Sequence, residues 1–498
     1  MPYLLAHDLG TSGNKATLYS TDGKLVASRT WSYDLFISHG NWAEQSAHDW
    51  WRAVCETTKE LVSTVNPGEI VVVSFSGQMM GCLCVDKDSE PLANSLIWAD
   101  LRSVEEEKFL RTKISEEEFY RITGHRMSPA YGGFKFMWMK KHFPEIYART
   151  YKTLNAKDYI LLKLTGKYVT DYSDASSICL MDLNTMDWSD TILDLAGLDR
   201  AKMPELHRST DVIGKVTREA ASETGLLEGT PVVCGGGDGA CAAVGSACIR
   251  EGVANCCLGT SSWISISSPT PIYDPKMTTF NFAHIVPGYV MPTGTMQCGG
   301  GSLDWAVKTL CKDADDVTIY AAIQEEVLAS PPGAKGLIFL PYLIGERSPR
   351  WDTNAKGAFI GLTLEHTRGD MIRAVMEGVA MNLDLVLKVF TARTAINQLT
   401  AIGGGARNDV WLQIFADVFG VPMMKPNHLE SATSMGAAIT GGVGVGAFEN
   451  FDAIDRFLQP EKVFHPSDNR EVYDGRKALF DECYYQLKET FTRLSNCD

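Results

Sequence analysis

Two aspartates stand beside turns that carry almost no side chain, and that pairing is where chemistry could sit. Asp8 lies in His7-Asp8-Leu9-Gly10-Thr11-Ser12-Gly13, straight after the apolar run Tyr3-Leu4-Leu5-Ala6. Asp238 lies in Gly235-Gly236-Gly237-Asp238-Gly239-Ala240, straight after Val232-Val233-Cys234. A third turn, Gly403-Gly404-Gly405-Ala406, comes after Leu399-Thr400-Ala401-Ile402. Turns of this kind let backbone N–H groups approach phosphate oxygens closely. A carboxylate beside one can hold Mg²⁺ or accept the proton of an attacking hydroxyl. Together the turns imply a nucleotide held between two lobes, although each alone reads equally well as an ordinary tight turn.

Other phosphate-binding patterns fail. The second turn fits Gly235-x-Gly237-x-x-Ala240, but a dinucleotide fold needs an acid about 20 residues on, and Ala254-Asn255-Cys256-Cys257-Leu258-Gly259-Thr260-Ser261 has none. No Gly-Lys pair precedes Ser or Thr, so there is no P-loop. Neither His-Arg-Asp nor Asp-Phe-Gly occurs, which argues against a protein kinase.

The 498 residues suit two large domains, and 45% apolar with 21% charged residues suits a globular chain with ample core. A net charge of −15 argues against nucleic acid as partner, so a phosphate site must be built locally from amides, Mg²⁺ and a few cations. No apolar run is long enough for a membrane helix, and no leader pattern opens the chain. The 13 cysteines include no Cys-x-x-Cys. Cys82, Cys179, Cys234, Cys241 and Cys257 sit in apolar or small-residue segments and read as buried thiols of a reducing compartment, the cytoplasm.

The elements that would position these turns emerge from periodicity. Residues 3–8 and 15–20 read as strands, Asp22-Gly23 as a hairpin turn and Leu25 onward as a third strand. Ala47 to Val65 has helical spacing, and Ile70 to Val73 is a buried strand ending at Ser76-Gly77-Gln78-Met79-Met80-Gly81. Val104 to Lys163 is mostly helical, with a break near Ser128-Pro129. Asn255 to Ile266 repeats the opening meander around Gly259-Thr260-Ser261, a weak internal repeat. Helices are expected from Gly299, over Asp370 to Val389, Asn408 to Phe419 and Thr433 to Val443. Residues 445–498 read as a polar helical tail, and the domain boundary as lying near 245–255.

These segments, in this order, resemble the FGGY family of carbohydrate kinases over nearly the whole chain. The most specific piece is Gly357-Ala358-Phe359-Ile360-Gly361-Leu362 with Asp370-Met371-Ile372-Arg373-Ala374-Val375-Met376-Glu377 after it. Gly405-Ala406-Arg407-Asn408 with Trp411 to Asp417 is similar too. Asn41 to Gln45, Ser76 to Met79, Leu96-Ile97-Trp98 with Asp100 and Arg102, Thr170 to Ser176, and Leu340 to Pro349 look most like the family's xylulokinase branch. Two positions depart from that branch: Met80 stands where His is usual, and Gly239 where Asn is usual.

The resemblance implies an α/β fold of two RNase H-like lobes, of the actin, hexokinase and chaperone-ATPase group, with a central cleft. Residues 1–248 would form the N-terminal lobe and 249–498 the C-terminal lobe with its tail. It implies ATP and Mg²⁺, with Asp238 as the catalytic base and Asp8 as the metal residue. Gly10, Thr11, Ser12, Gly259, Thr260, Gly300, Gly404, Gly405 and Asn408 would bind ATP. Gln78, Met79, Met80, Trp98, Asp238 and Gly239 would contact the sugar. The implied reaction transfers the γ-phosphate to a small ketose, D-xylulose first. Erythrulose, ribulose, L-xylulose and gluconate remain alternatives, and so does a non-enzymatic nucleotide-driven clamp. The expected partner is a small-molecule sugar, with no nucleic acid and no membrane; a homodimer stays open.

Several residues keep a second reading. Asp238 equally suits a helix cap. Met79, Met80 and Trp98 suit core packing. Asp100 and Arg102 suit a simple ion pair, and strand alternation can turn Lys15 away from phosphate.

Overall fold

The computed structural model describes residues 2–311 and 319–496. The chain opens as the expected meander: β1 (Tyr3–Leu9), β2 (Gly13–Ser20) and β3 (Leu25–Ser32) pair antiparallel. Ser46 caps α1 (Ala47–Val62) by accepting from the Asp49 amide, and Trp50, Val54 and Leu61 bury the inner face of that helix. β4 (Ile70–Gly77) then runs parallel to β1. It is covered on both faces, which explains its unbroken apolar run. A long, mainly helical excursion comes next, including α2 (Gly132–His142). The chain returns through β5 (Val212–Lys215) and β6 (Pro231–Val233) and enters α3 (Asp238–Gly245). The sheet order is β5-β6-β4-β1-β2-β3.

The second half builds the same sheet. Its strands are β7 (Val253–Leu258), β8 (Ser262–Ile266), β9 (Phe280–Ala283) and β10 (Val290–Met296), and α4 (Gly300–Leu310) comes after them. After α5 (Arg368–Thr391) come β11 (Gln398–Ile402), α6 (Asp409–Phe419) and β12 (Met423–Pro426). α7 (Ala432–Gly444), β13 (Pro460–Phe464) and α8 (Arg470–Ser495) complete it. The order is β9-β10-β8-β7-β11-β12-β13. β7 is antiparallel to β8 and parallel to β11, as β1 is to β2 and β4.

Two features differ from the sequence expectation. The tail is not wholly helical, because Pro460–Phe464 pairs antiparallel with β12 and closes the edge of the second sheet. In addition, α7 leaves its own half and packs on the first sheet, where Met435 and Ile439 join Leu4 and Val72 in one apolar cluster. There α7 crosses α3 backbone to backbone. A Cβ placed on Gly245 would fall 1.9 Å from the Ala432 carbonyl oxygen, and one on Gly436 would fall 1.9 Å from that of Cys241. Among the described residues no helix is long and apolar enough to cross a membrane.

Candidate active site

A cavity of about 710 Å³ opens where β7 and β11 end and α4 begins. Gly259, Thr260, Gly300, Gly404, Gly405 and Asn408, six residues expected to hold nucleotide, all line it. Glycine is demanded at 300, where a Cβ would meet the Gly259 carbonyl oxygen at 2.5 Å; the Gly300 amide donates to that same oxygen. At Gly404 the space is open, with nothing within 4 Å of an added Cβ. Asn408 Oδ1 caps α6 by accepting from the Trp411 amide at 3.1 Å. That leaves the amide N–H groups of its side chain as the edge it can offer a ligand.

A second cavity, about 230 Å³, lies between the halves. Thr11, Met80, Trp98, Asp238 and Gly239 form the wall from the first half. Asp238 is the first residue of α3, with Gly237 in the capping position. Its Oδ1 accepts from the Gly239 amide at 2.7 Å. Burial, and then the like charge of Asp8, raise its carboxyl to about 7, with the Gly239 bond opposing. A carboxylate poised near neutral pH at a cavity wall suits proton acceptance from a hydroxyl.

Asp8 accepts from the Ser76 hydroxyl at 2.9 Å and from Thr433, which belongs to α7. Burial pushes its carboxyl up, against those two bonds and the charge of Lys15. Lys15 itself turns away and donates to the Glu430 carbonyl at 2.9 Å. In the first turn, the Gly10 amide donates to Gly13 O at 3.0 Å, Ser12 is exposed, and Thr11 Oγ1 accepts from the Trp98 indole at 2.8 Å. Trp98 is 41% exposed, so it is wall and not core.

One expected sugar contact is not on the wall. Gln78 is buried and gives its Nε2 to Gln45 Oε1 at 2.6 Å; Gln45 in turn donates to the Thr11 carbonyl. Gln78 therefore braces the Gly10-Thr11-Ser12 turn from behind. Met79 reaches the cavity yet is mostly core, 4% exposed. Asp100 and Arg102 form the plain ion pair, at 2.7 Å, with Glu44 joining at 2.8 Å.

Sequence reasoning missed the opposite wall. Phe280, Phe282, Met291, Thr293 and Arg347 come from the second half. The first four alternate along β9 and β10 and meet the cavity only through folding. Arg347 lies in the xylulokinase-like stretch Leu340 to Pro349, and that was the available signal.

Two copies of one sheet, with their strand-end turns converging on adjoining cavities, define a two-lobed phosphotransferase of the actin and hexokinase fold group. The chain belongs to the FGGY family of carbohydrate kinases, whose N-terminal domain model matches residues 3–245 and whose C-terminal domain model matches residues 254–445. It is 32% identical to a xylulose kinase of Bacillus subtilis, covering 100% of this chain and 99% of that protein. The crystal structure of ligand-bound xylulose kinase from Lactobacillus acidophilus superposes with a TM-score of 0.93 at 29% identity, over 99% of this chain and 100% of that one. A gluconate kinase from the same organism gives 0.94 at 29% identity, over 99% of each chain.

Proposed function

We propose that this kinase transfers the γ-phosphate of ATP to a terminal hydroxyl of a small ketose, D-xylulose first. Asp238 carries the reading. It stands where the 230 Å³ cavity meets both halves, with its carboxyl raised to about 7. In this reading the sugar lies against Met80, Trp98 and Gly239, and Asp238 accepts the proton of the attacking hydroxyl. Adenosine lies along Gly404, Gly405 and Asn408. The phosphates pass between Gly259-Thr260 and Gly10-Thr11-Ser12, so each lobe supplies one turn. The lobes divide at 248/249, with α7 returning to the first. Buried, unpaired cysteines such as Cys234 and Cys241 support the cytoplasm as location.

Mg²⁺ fits the same site. The charge of Asp8 already holds the Asp238 carboxyl up, so a cation there relieves a like-charge pair. Mg²⁺ takes few carboxylates and completes its shell with water and phosphate oxygens. Asp8 would hold it, and the ion would supply neutralisation of phosphate charge.

Replacing Asp238 with Asn tests the reading. Turnover should fall about 10²–10⁴-fold, while ATP binding, measured by calorimetry, stays. Turnover like that of the wild type removes Asp238 from the mechanism.

One observation favours a second reading, phosphorylation of a sugar acid. Arg347 brings a positive charge to the apolar wall, and the fold is as close to a gluconate kinase as to a xylulose kinase. ADP release measured against a panel of ketoses and aldonates separates the two.

A further inference from the structure

Lys135 is fully buried, at 0% exposure, in an otherwise apolar stretch of α2 that also buries Phe134, Phe136 and Met137. Its ammonium meets no carboxylate within ion-pair distance among the described residues. Instead Nζ donates to three backbone carbonyls: Met80 at 2.9 Å, Ile97 at 2.6 Å and Ala130 at 2.6 Å. Three N–H donors thus find three acceptors. A buried charge is costly, and an apolar side chain of similar volume would suit this cluster better. The cost needs a reason, and the carbonyls supply one.

Two of those carbonyls belong to segments of the sugar wall. Met80 is on the wall, and Ile97 immediately precedes Trp98. Met80 also has φ of 63°, a left-handed conformation that non-glycine residues keep only when their surroundings enforce it. Its amide donates to Ser177 Oγ at 3.1 Å, and its carbonyl is held by Lys135. Both ends of this residue are therefore fixed. Trp98 in turn reaches Thr11 of the phosphate turn.

We propose that Lys135 is a positioning residue for sugar recognition: its ammonium clamps the Met80 and Ile97 carbonyls, so that Met80 and Trp98 present one fixed wall to the sugar. This rests on the reading of the 230 Å³ cavity as the sugar site. The clamp makes all three bonds only when protonated. Burial pulls the ammonium down to about 7, with Asp100 and Cys82 pushing up and Arg102 pushing down. Those are the ionisable groups that face it. Above neutral pH the clamp loses a proton and one donor.

The test is steady-state kinetics of Lys135→Met, which keeps the volume, and Lys135→Gln, which keeps two donors, beside Trp98→Ala. A wall that holds the sugar alike in ground state and transition state shows its loss in KM and not in kcat. Lys135→Met should therefore raise the sugar KM about tenfold, roughly the worth of one lost hydrogen bond, with kcat and the ATP KM little changed, and Lys135→Gln should recover part of the loss. In the wild type the sugar KM should climb above pH 7 while the ATP KM stays flat, and Lys135→Met should abolish that slope. An unchanged sugar KM in Lys135→Met, or a parallel fall of kcat, ATP affinity and melting temperature, overturns the proposal. If Lys135→Met does not fold, Lys135→Gln and the wild-type pH series decide, a flat sugar KM counting against. If Trp98→Ala leaves the sugar KM untouched, the site assignment fails instead.

Discussion

β4 and β11 hold the same place in their sheets, each parallel to the strand that opens its half, yet the paths that leave them are very unlike. β4 leads into Gln78-Met79-Met80 and then into an excursion that lasts until β5 begins at Val212, ahead of β6 at Pro231. β11 leads into Gly403-Gly404-Gly405, one short helix, and β12 at Met423. The long excursion supplies α2, Lys135 and Trp98 and lines the sugar cavity with side chains. The short one leaves the 710 Å³ cavity a rim of glycine backbone beside Leu303, Arg407 and Trp411. On the proposed reading, one scaffold yields a site that discriminates and a trough that accepts one constant ligand. Side chains distinguish sugars through directed bonds, whereas a nucleotide needs close backbone approach.

Four substitutions or titrations break or sharpen that contrast. The largest effect falls where the two halves touch. Gly436→Val puts a branched side chain against the Cys241 carbonyl, and it should abolish soluble expression or cost several kcal/mol in denaturant unfolding. Normal stability would mean the crossing is looser than described. Next, Gly404→Leu fills the open trough. It should raise the ATP KM about tenfold or more by blocking approach of the ring, with the sugar KM unmoved; a shift in both would deny that the halves bind separately.

The pH dependence comes third. Asp238 must be ionised to accept a proton, and its carboxyl is raised to about 7. At saturating sugar, kcat should therefore rise as pH climbs through 7 and flatten above it. The sign is opposite for stability. Between the ordinary carboxylate range and about 7 the folded state binds more protons than the unfolded one, so this group favours folding as pH falls. Asp238→Asn should melt a few degrees higher than the wild type at about pH 8, the gain vanishing near about pH 4. Equal melting points at the higher pH would contradict the raised carboxyl. The smallest effect is expected from Met80→His with Gly239→Asn. Histidine tolerates the left-handed conformation at 80 better than most residues, and a Cβ at 239 meets only Met79 and Met291 at ordinary distances, 3.7 and 3.9 Å. The pair should raise kcat/KM for D-xylulose over other ketoses and aldonates by about tenfold; an unchanged ranking would show that these positions do not set specificity.

That Gly259, Gly300, Gly404 and Gly405 line one cavity was legible in the sequence because that cavity is made of punctuation. Gly259, Gly300, Gly404 and Gly405 mark strand ends and helix starts locally, before any tertiary contact is known. The sugar wall was only half legible. Met80, Trp98 and Gly239 come just after strand ends, but Phe282, Thr293 and Arg347 become neighbours only when β9 and β10 pair and the lobes meet. The most specific stretch of the family resemblance turned out to be architectural. Asp370 closes the capping box of α5 with Thr367 and accepts from Ser330. Glu377 accepts from Arg373 and Tyr473 in the core. Neither lines the nucleotide or the sugar cavity. The placement of α7 escaped prediction for a related reason: a helix rich in glycine and alanine, with Met435 and Ile439 as its few large side chains, carries no clear label to say which sheet it covers.

The crossing of α3 with α7 has a mechanical consequence. Most helix pairs lock through interleaved ridges of side chains, and sliding them forces repacking. Here carbonyl meets bare Cα at Gly245 and again at Gly436, so the contact has no teeth. It stays closed only while both positions lack a Cβ, so a single added methyl would pry α7 off the sheet it covers.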